Sequence, residues 1–299
     1  MKRNMTGAFG DVIEIVCGTD INYIPHLGVL LRSIAVANRG QPIRAHILHD
    51  GVDETAKLTV AQCAPAIKLE WYEIADHQAL GFRPLLQITR ATYLRLTMTE
   101  VLPASMPRAL FLDVDMTVTG KLLPLWETDL KGNVCAAVKD PGGNAEKFAS
   151  RHSLPLPGQY FNAGVLLLDL DKVRAGRYLE RSIALLAEPG AHYEFADQDA
   201  LNIVLWNQWL PLDAKWNFQR KFYYESAASA FSGRFEPVII HYTETFKPWR
   251  HDEWHPYAWI YLKNLLRTPY RRQVTLKGGI GWQTGCKWWL RYRRKRGRF

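Results

Sequence analysis

Two aspartates one residue apart, Asp113 and Asp115, follow the apolar run Ala109-Leu110-Phe111-Leu112. Alternate residues of an extended segment point the same way, so both carboxylates can converge on one hard cation. A solvated acidic loop is the other reading of the same letters. His241 closes a second apolar run, Val238-Ile239-Ile240. An imidazole there is either a satisfied strand-end histidine or the nitrogen of an O,O,N ligand set suited to Mn²⁺ or Mg²⁺. Lys247, six residues on, is either a surface lysine or a point charge for a phosphate. Asp197-Gln198-Asp199 precede the helical stripe Leu201, Val204, Leu205, where acidic residues also serve as N-cap and first turn. Asn162, within Phe161-Asn162-Ala163-Gly164, reads as a turn residue ahead of a buried strand Gly164–Leu168.

Such residues need a scaffold, and the first half of the chain supplies one. The run Val12–Val16 predicts a strand ending in Gly18-Thr19-Asp20. Ile24, Leu27, Leu31 and Ile34 then recur at helical spacing, with Pro25 in the first turn, where its missing N–H costs little. Ile43, Ala45 and Ile47 alternate as a second strand; Asp53 is placed to cap a helix running to Gln62, and Lys68–Trp71 alternates again. This β-α-β-α-β order predicts a mainly parallel sheet with helices on its faces and a ligand site beyond the carboxyl ends of its strands. Further strands are expected at Arg108–Leu112 and Val134–Val138, a helix over Leu179–Leu186, and a loop over Ala75–Gln87 of lid-like composition.

With 299 residues, 47% of them hydrophobic and 22% charged, the chain has ample material for a core, which excludes disordered and collagen-like classes. Its four cysteines are scattered with no C-x-x-C, which argues for free thiols rather than a zinc site or a disulfide frame. The net charge of +9 is unevenly placed. Residues 263–299 hold twelve Lys or Arg and no Asp or Glu, leaving −3 for residues 1–262. An acidic body argues against nucleic acid as a partner, and a basic tail argues for an electrostatic docking arm. We therefore divide the chain into a catalytic unit, 1–262, and a basic, aromatic tail, 263–299. No run approaches the ~20 apolar residues of a spanning helix, and Asp11 and Glu14 interrupt any leader-like stretch. Gly278-Gly279-Ile280-Gly281 lacks the spacing of a dinucleotide fingerprint.

Six segments in order resemble glycosyltransferase family 8: Gly18-Thr19-Asp20-Ile21-Asn22-Tyr23, Thr92-Tyr93-Leu94-Arg95-Leu96, Leu110-Phe111-Leu112-Asp113-Val114-Asp115, Phe161-Asn162-Ala163-Gly164-Val165, Asp197-Gln198-Asp199-Ala200-Leu201-Asn202, and His241-Tyr242 with Lys247-Pro248-Trp249. Bacterial lipopolysaccharide galactosyl- and glucosyltransferases, where a basic aromatic tail also follows the catalytic domain, are the most similar in look. The resemblance implies an α/β fold of the GT-A, Rossmann-like type and transfer of a hexose from a UDP-sugar to a glycan or glycolipid hydroxyl with retention. It implies that Asp20 and Asn22 contact the uridine, that Asp113, Asp115 and His241 hold Mn²⁺ (or Mg²⁺), and that Lys247 meets the diphosphate. Arg95, Asp113, Asn162, Asp197 and Gln198 would surround the donor sugar, with Gln198 steadying the developing positive charge and Asp197 as rival nucleophile. One position departs from the family. H-Y-x-G-x-x-K-P-W carries a glycine where this chain has Glu244, and a glutamate neither favours positive φ nor welcomes a diphosphate.

Two rival readings stand beside this one. Asp113-Val114-Asp115-Met116-Thr117-Val118 also looks like the opening motif of haloacid-dehalogenase-type phosphatases, although that motif normally sits on the first strand. Glu244 would suit a nucleotide-sugar binding protein without catalysis. In the tail, Trp288, Trp289, Tyr292 and Phe299 among Lys287, Arg291, Arg293, Arg294, Lys295, Arg296 and Arg298 suit an anionic membrane surface. The expected location is cytoplasmic, peripheral on the cytosolic membrane face.

Overall fold

The computed structural model describes residues 12–74, 90–188, 193–228, 236–245, 247–250 and 255–296. The lid-like segment Ala75–Gln87 lies outside them. Strands β1 (Ile13–Asp20), β2 (Ile43–Asp50) and β3 (Lys68–Glu73) form the expected alternation with the helices Ile24–Ala37 and Glu54–Cys63. Asp53 does cap the second helix, its Oδ1 accepting the Ala56 N–H at 2.7 Å. Then come β4 (Arg108–Leu112), β5 (Met116–Val118), β6 (Cys135–Lys139), β7 (Phe161–Asp169), β8 (Trp209–Pro211) and β9 (Ile239–His241).

Seven strands form one sheet in the order β3-β2-β1-β4-β7-β6-β8. It is mixed, since β7 runs antiparallel to both β4 and β6 while the other pairs are parallel. Alternation along each strand splits the core into two layers. Ile13, Ile15, Leu110 and Leu112 face the helix Ile24–Ala37, and Val16, Ala109 and Phe111 face the other way. The connection after β1 leads to β2 on one side, while β4 pairs on the other. The switch point between β1 and β4 therefore opens a crevice at their carboxyl ends, directly before Asp113.

Two details of pairing decide which residues reach that crevice. The strand β7 begins at Phe161, so Phe161-Asn162-Ala163-Gly164 is paired strand and not the turn its composition suggested. Because β7 is antiparallel to β4, its first residues lie beside the end of β4, and Asp113 N donates to Gly164 O at 2.9 Å. Separately, β5 and β9 form a two-stranded antiparallel sheet with Met116 opposite His241, which brings an imidazole from far along the chain next to Asp115.

The C-terminal region folds onto this body. The helix Ala258–Leu265 spans the division at residue 262, and the helix Trp282–Arg296 packs on it. Val274, Ile280 and Trp288 belong to the same buried cluster as β1, with Trp288 only 5% exposed. Gly278 touches the body most closely: a Cβ there would fall 1.8 Å from the Trp249 carbonyl oxygen. The basic segment thus carries an inner apolar face that completes the core. Trp288→Ala is expected to cost about 3 kcal/mol of stability, whereas Trp282→Ala, at an 85% exposed side chain, should cost under about 0.5 kcal/mol. Thermal or denaturant unfolding of the two variants checks this, and equal effects would contradict the packing.

Candidate active site

A cleft of about 470 Å³ lies beyond the ends of β1 and β4. Of the residues singled out in the sequence, Arg95, Asp113, Asp115, Asn162, Asp197, Gln198, His241 and Lys247 all line it. Asp20 and Asn22 do not. The Asp20 Oδ1 instead accepts the N–H groups of Asn22 and Tyr23 at 2.9 and 3.0 Å, shaping the turn into the first helix. Tyr23, next in sequence, is the cleft's contact from this turn.

Asp113, Asp115 and His241 present one ligand atom each within 4.8 Å of one another. His241 Nε2 lies 3.2 Å from Asp115 Oδ1 and 3.8 Å from Asp113 Oδ2. The other ring nitrogen, Nδ1, is 2.9 Å from Asn217 Oδ1, and Asn217 Nδ2 donates to Asn162 Oδ1 at 2.8 Å. The amide therefore turns its oxygen to the ring, Nδ1–H donates to it, and Nε2 is the ring nitrogen that faces the two carboxylates. Two carboxylate oxygens and an imidazole nitrogen that converge in this way form an O,O,N set that could hold a cation. Gly164 keeps this space open: a Cβ there would stand 2.3 Å from His241 Cε1 and 2.9 Å from Asp113 Oδ2. The donor set and the cradle fit a divalent ion with oxygen and nitrogen ligands, as Mn²⁺ or Mg²⁺ prefer.

Lys247 is already engaged. Its Nζ donates to Asp115 Oδ2 and to the Tyr242 carbonyl, both at 2.6 Å. Burial pushes the Asp115 carboxyl upward, but Lys247 and His241 outweigh it and hold it far below the usual carboxylate range. The lysine is carried there by Trp249, which stacks on His26 with ring centroids 3.7 Å apart. His26 in turn bonds the Tyr261 hydroxyl through Nδ1 at 2.6 Å, and burial lowers its pKa to about 3.

Arg95 organises the opposite wall. It is 3% exposed, donates through Nη2 to Asp113 Oδ1 at 2.9 Å and sets Nε 2.7 Å from Asp197 Oδ2. The Nε–H itself points to the Thr92 carbonyl at 3.1 Å. The Asp197 contact is thus an ion contact without a hydrogen bond, and Asp197 Oδ2 remains a buried acceptor with no donor. Burial raises the Asp197 carboxyl to about 6, with Arg95 pulling down and Asp113 pushing up. Asp113 is also raised, by burial first, against the pull of Arg95. Gln198 is fully committed. Its Oε1 accepts Ala163 N at 3.0 Å and Asn162 Nδ2 at 3.1 Å, while its Nε2 donates to Asp140 Oδ2 and Tyr160 Oη at 3.2 and 3.1 Å.

Asp140, Asn217 and Lys221 went unread in the sequence. Asp140 had a legible signal, because it follows the apolar β6 as Asp113 follows β4. Asn217 had none; it reaches His241 only because Phe218 bridges to Ile240. Glu244 keeps the backbone a glycine would adopt, at φ 64°, and its carboxylate stands 3.8 Å from Lys221 Nζ.

A mixed α/β sheet with a carboxylate pair beyond its switch point and a histidine from a late strand defines the GT-A class of sugar-nucleotide transferases. Comparison with known proteins gives the same class. The profile of glycosyl transferase family 8 matches residues 14–253. The chain is 30% identical over 270 residues to a lipopolysaccharide 1,2-glucosyltransferase of Escherichia coli K12, covering 87% of this chain and 80% of the relative. It is 28% identical over 269 residues to a lipopolysaccharide 1,3-galactosyltransferase of Salmonella typhimurium LT2, covering 87% and 80%. The crystal structure of the galactosyltransferase LgtC with donor and acceptor sugar analogs superposes with a TM-score of 0.75 at 26% identity, over 87% of this chain and all of that one. The chain belongs to glycosyl transferase family 8.

Left-handed backbone costs a residue with a Cβ about 1 kcal/mol. Glu244→Gly should therefore raise the melting temperature by about 2 °C, and Glu244→Ala, which keeps the Cβ, should not. Scanning calorimetry of both variants checks this; a drop with glycine would mean the loop stores no strain at that position.

Proposed function

We propose that this chain is a metal-dependent retaining hexosyltransferase. It moves galactose or glucose from a UDP-sugar to a hydroxyl of a lipopolysaccharide or other cell-surface glycan. The observation that carries this reading is the Asp113, Asp115, His241 constellation at the switch point of a family 8 fold. The relatives' names, glucosyl- and galactosyltransferases of lipopolysaccharide, support the substrate class. Family membership leaves the phosphatase reading without support, as does the position of Asp113 after the fourth strand of the chain rather than the first.

A divalent ion bound by Asp113, Asp115 and His241 supplies charge neutralisation at the leaving diphosphate. The rest falls to the chain. Lys247, held on Asp115 and the Tyr242 carbonyl, would be the chain's own cation for a phosphate oxygen. Arg95 holds Asp113 and Asp197 in fixed orientation, so neither carboxylate reorganises as charge develops. Asp197 lines the cleft, and its carboxylate is placed as an acceptor for a sugar hydroxyl or as a counter-charge to a developing positive anomeric carbon. The Gln198 amide, with both its atoms bonded, acts as a fixed dipole rather than a nucleophile. This favours attack on the same face as departure, with Asp197 the rival nucleophile. The uridine would sit toward β1, with Tyr23 at the cleft and Asp20 and Asn22 at its rim.

The test is a panel of UDP-sugars with Mn²⁺, scored for slow donor hydrolysis without acceptor. Asp115→Asn should lower turnover about a hundredfold and abolish calorimetric Mn²⁺ binding, and full activity of that variant in EDTA would overturn the metal role. UDP binding without hydrolysis of any donor would favour a binding protein instead.

We further propose that the C-terminal segment docks on an anionic membrane surface, where a lipid-linked acceptor would be met. No helix among the described residues is long and apolar enough to cross a membrane. Leu276 and Trp282 are 81% and 85% exposed, Trp289 and Leu290 also lie outward, and Arg291 and Arg293 accompany them. Each basic residue near such a surface is worth about 1 kcal/mol. Vesicle co-sedimentation of the full chain should need anionic lipid, weaken with salt, and fall about tenfold in Trp282→Ser/Leu290→Ser. Equal binding to neutral vesicles would refute docking. Substitutions at exposed positions are the proper probe, because deleting residues 286–299 also removes Trp288 from the core.

A further inference from the structure

The cleft's charge balance is unusual for a diphosphate site. Among its described lining residues, six carboxylates face three cations, Arg95, Lys221 and Lys247. Arg95 is spent on Asp113 and Asp197, and Lys247 on Asp115. Lys221, at the start of the helix Arg220–Ala228, is the remaining cation, and its acidic partner is Glu244. The lysine reaches across Gly142, where a Cβ would fall 2.3 Å from Nζ. A side chain at 142 would displace it. Glu244 sits three residues before Lys247, on the wall formed by Thr243, Thr245 and Lys247. Its carboxylate therefore adds a negative charge to the loop proposed to meet the donor diphosphate.

We propose that Lys221 is a specificity-determining residue for the anionic donor. It neutralises Glu244, which stands where the family pattern has glycine, and thereby lets this cleft accept a diphosphate. The inference rests on the UDP-sugar reading above and adds to it a residue and a charge pair that belong to this chain. Two features make the pair act on ligand binding rather than on folding. Both side chains are about half exposed, 51% and 41%, so the pair adds little to stability. Both also line the cleft, where an added anion feels each of them with less solvent between.

The charges predict a coupled pattern. Lys221→Met leaves Glu244 uncompensated and should weaken UDP binding about fivefold. Glu244→Gln, which keeps the Cβ and the backbone conformation, should tighten UDP binding about twofold to threefold. The double variant should return to within about twofold of the unaltered protein, because removing both charges leaves the net charge facing the anion as it was. Isothermal calorimetry with UDP in saturating Mn²⁺ measures each arm. Uridine serves as the uncharged control, and its affinity should be the same in all four proteins. Melting temperatures within about 1 °C of one another separate charge compensation from misfolding.

A double variant as weak as Lys221→Met alone, no loss in Lys221→Met, or equal loss for uridine would overturn the inference while leaving the donor reading intact. Failure of the unaltered protein to bind UDP with Mn²⁺ would overturn both.

Discussion

The site is built around one buried guanidinium. Arg95 lies between Asp113 and Asp197, over the Phe111 ring at 4.7 Å, and also donates to the Ala163 carbonyl. Desolvation raises both carboxyls and the guanidinium pulls both back, so it favours their charged forms. The same guanidinium therefore acts on the charge of both Asp113 and the acid beside Gln198. It links the two halves of the cleft, the end of β4 and the start of the helix Asp197–Val204, so that a shift in one reaches the other.

Strand direction does the rest. In an all-parallel sheet the beginning of β7 would lie at the far edge, away from the crevice. Reversed, it brings Asn162 and Gly164 beside Asp113. From there the chain Asn162, Asn217, His241 fixes the imidazole tautomer, while Asn162 and Ala163 hold the Gln198 amide. A residue that reads as a turn asparagine becomes the junction between the Asp113, Asp115, His241 set and the wall opposite it. The small β5–β9 sheet adds the imidazole itself.

The Lys247 loop is held from behind. Trp249 stacks on His26, His26 bonds Tyr261, and the backbone at Gly278 closes against the Trp249 carbonyl. Residues from the first helix, the helix Ala258–Leu265 and the basic C-terminal segment thus bear on one lysine. The C-terminal segment serves the body through its inner face and offers its exposed aromatic and basic residues outward.

Much of this was legible in the letters. Alternation and helical spacing located β1 to β4, Asp53 announced its cap, and six ordered motifs named most of the cleft, including Arg95, which no local pattern would have marked. The strands and the cap are local features, and local physics determines them: periodicity sets which face is buried, and an aspartate before a helix bonds the nearest free N–H. The direction of β7, the contact of Asn217 with His241, the pairing of Lys221 with Glu244 and the packing of the helix Trp282–Arg296 on the body were not legible. Each joins groups far apart in sequence, and which of them meet depends on the packing of the whole sheet. Glu244 shows the division most clearly. Its identity was the visible departure from the family. Only the folded loop showed that it adopts the glycine's conformation and meets a lysine, because the cost of left-handed backbone is settled against the packing on either side of it.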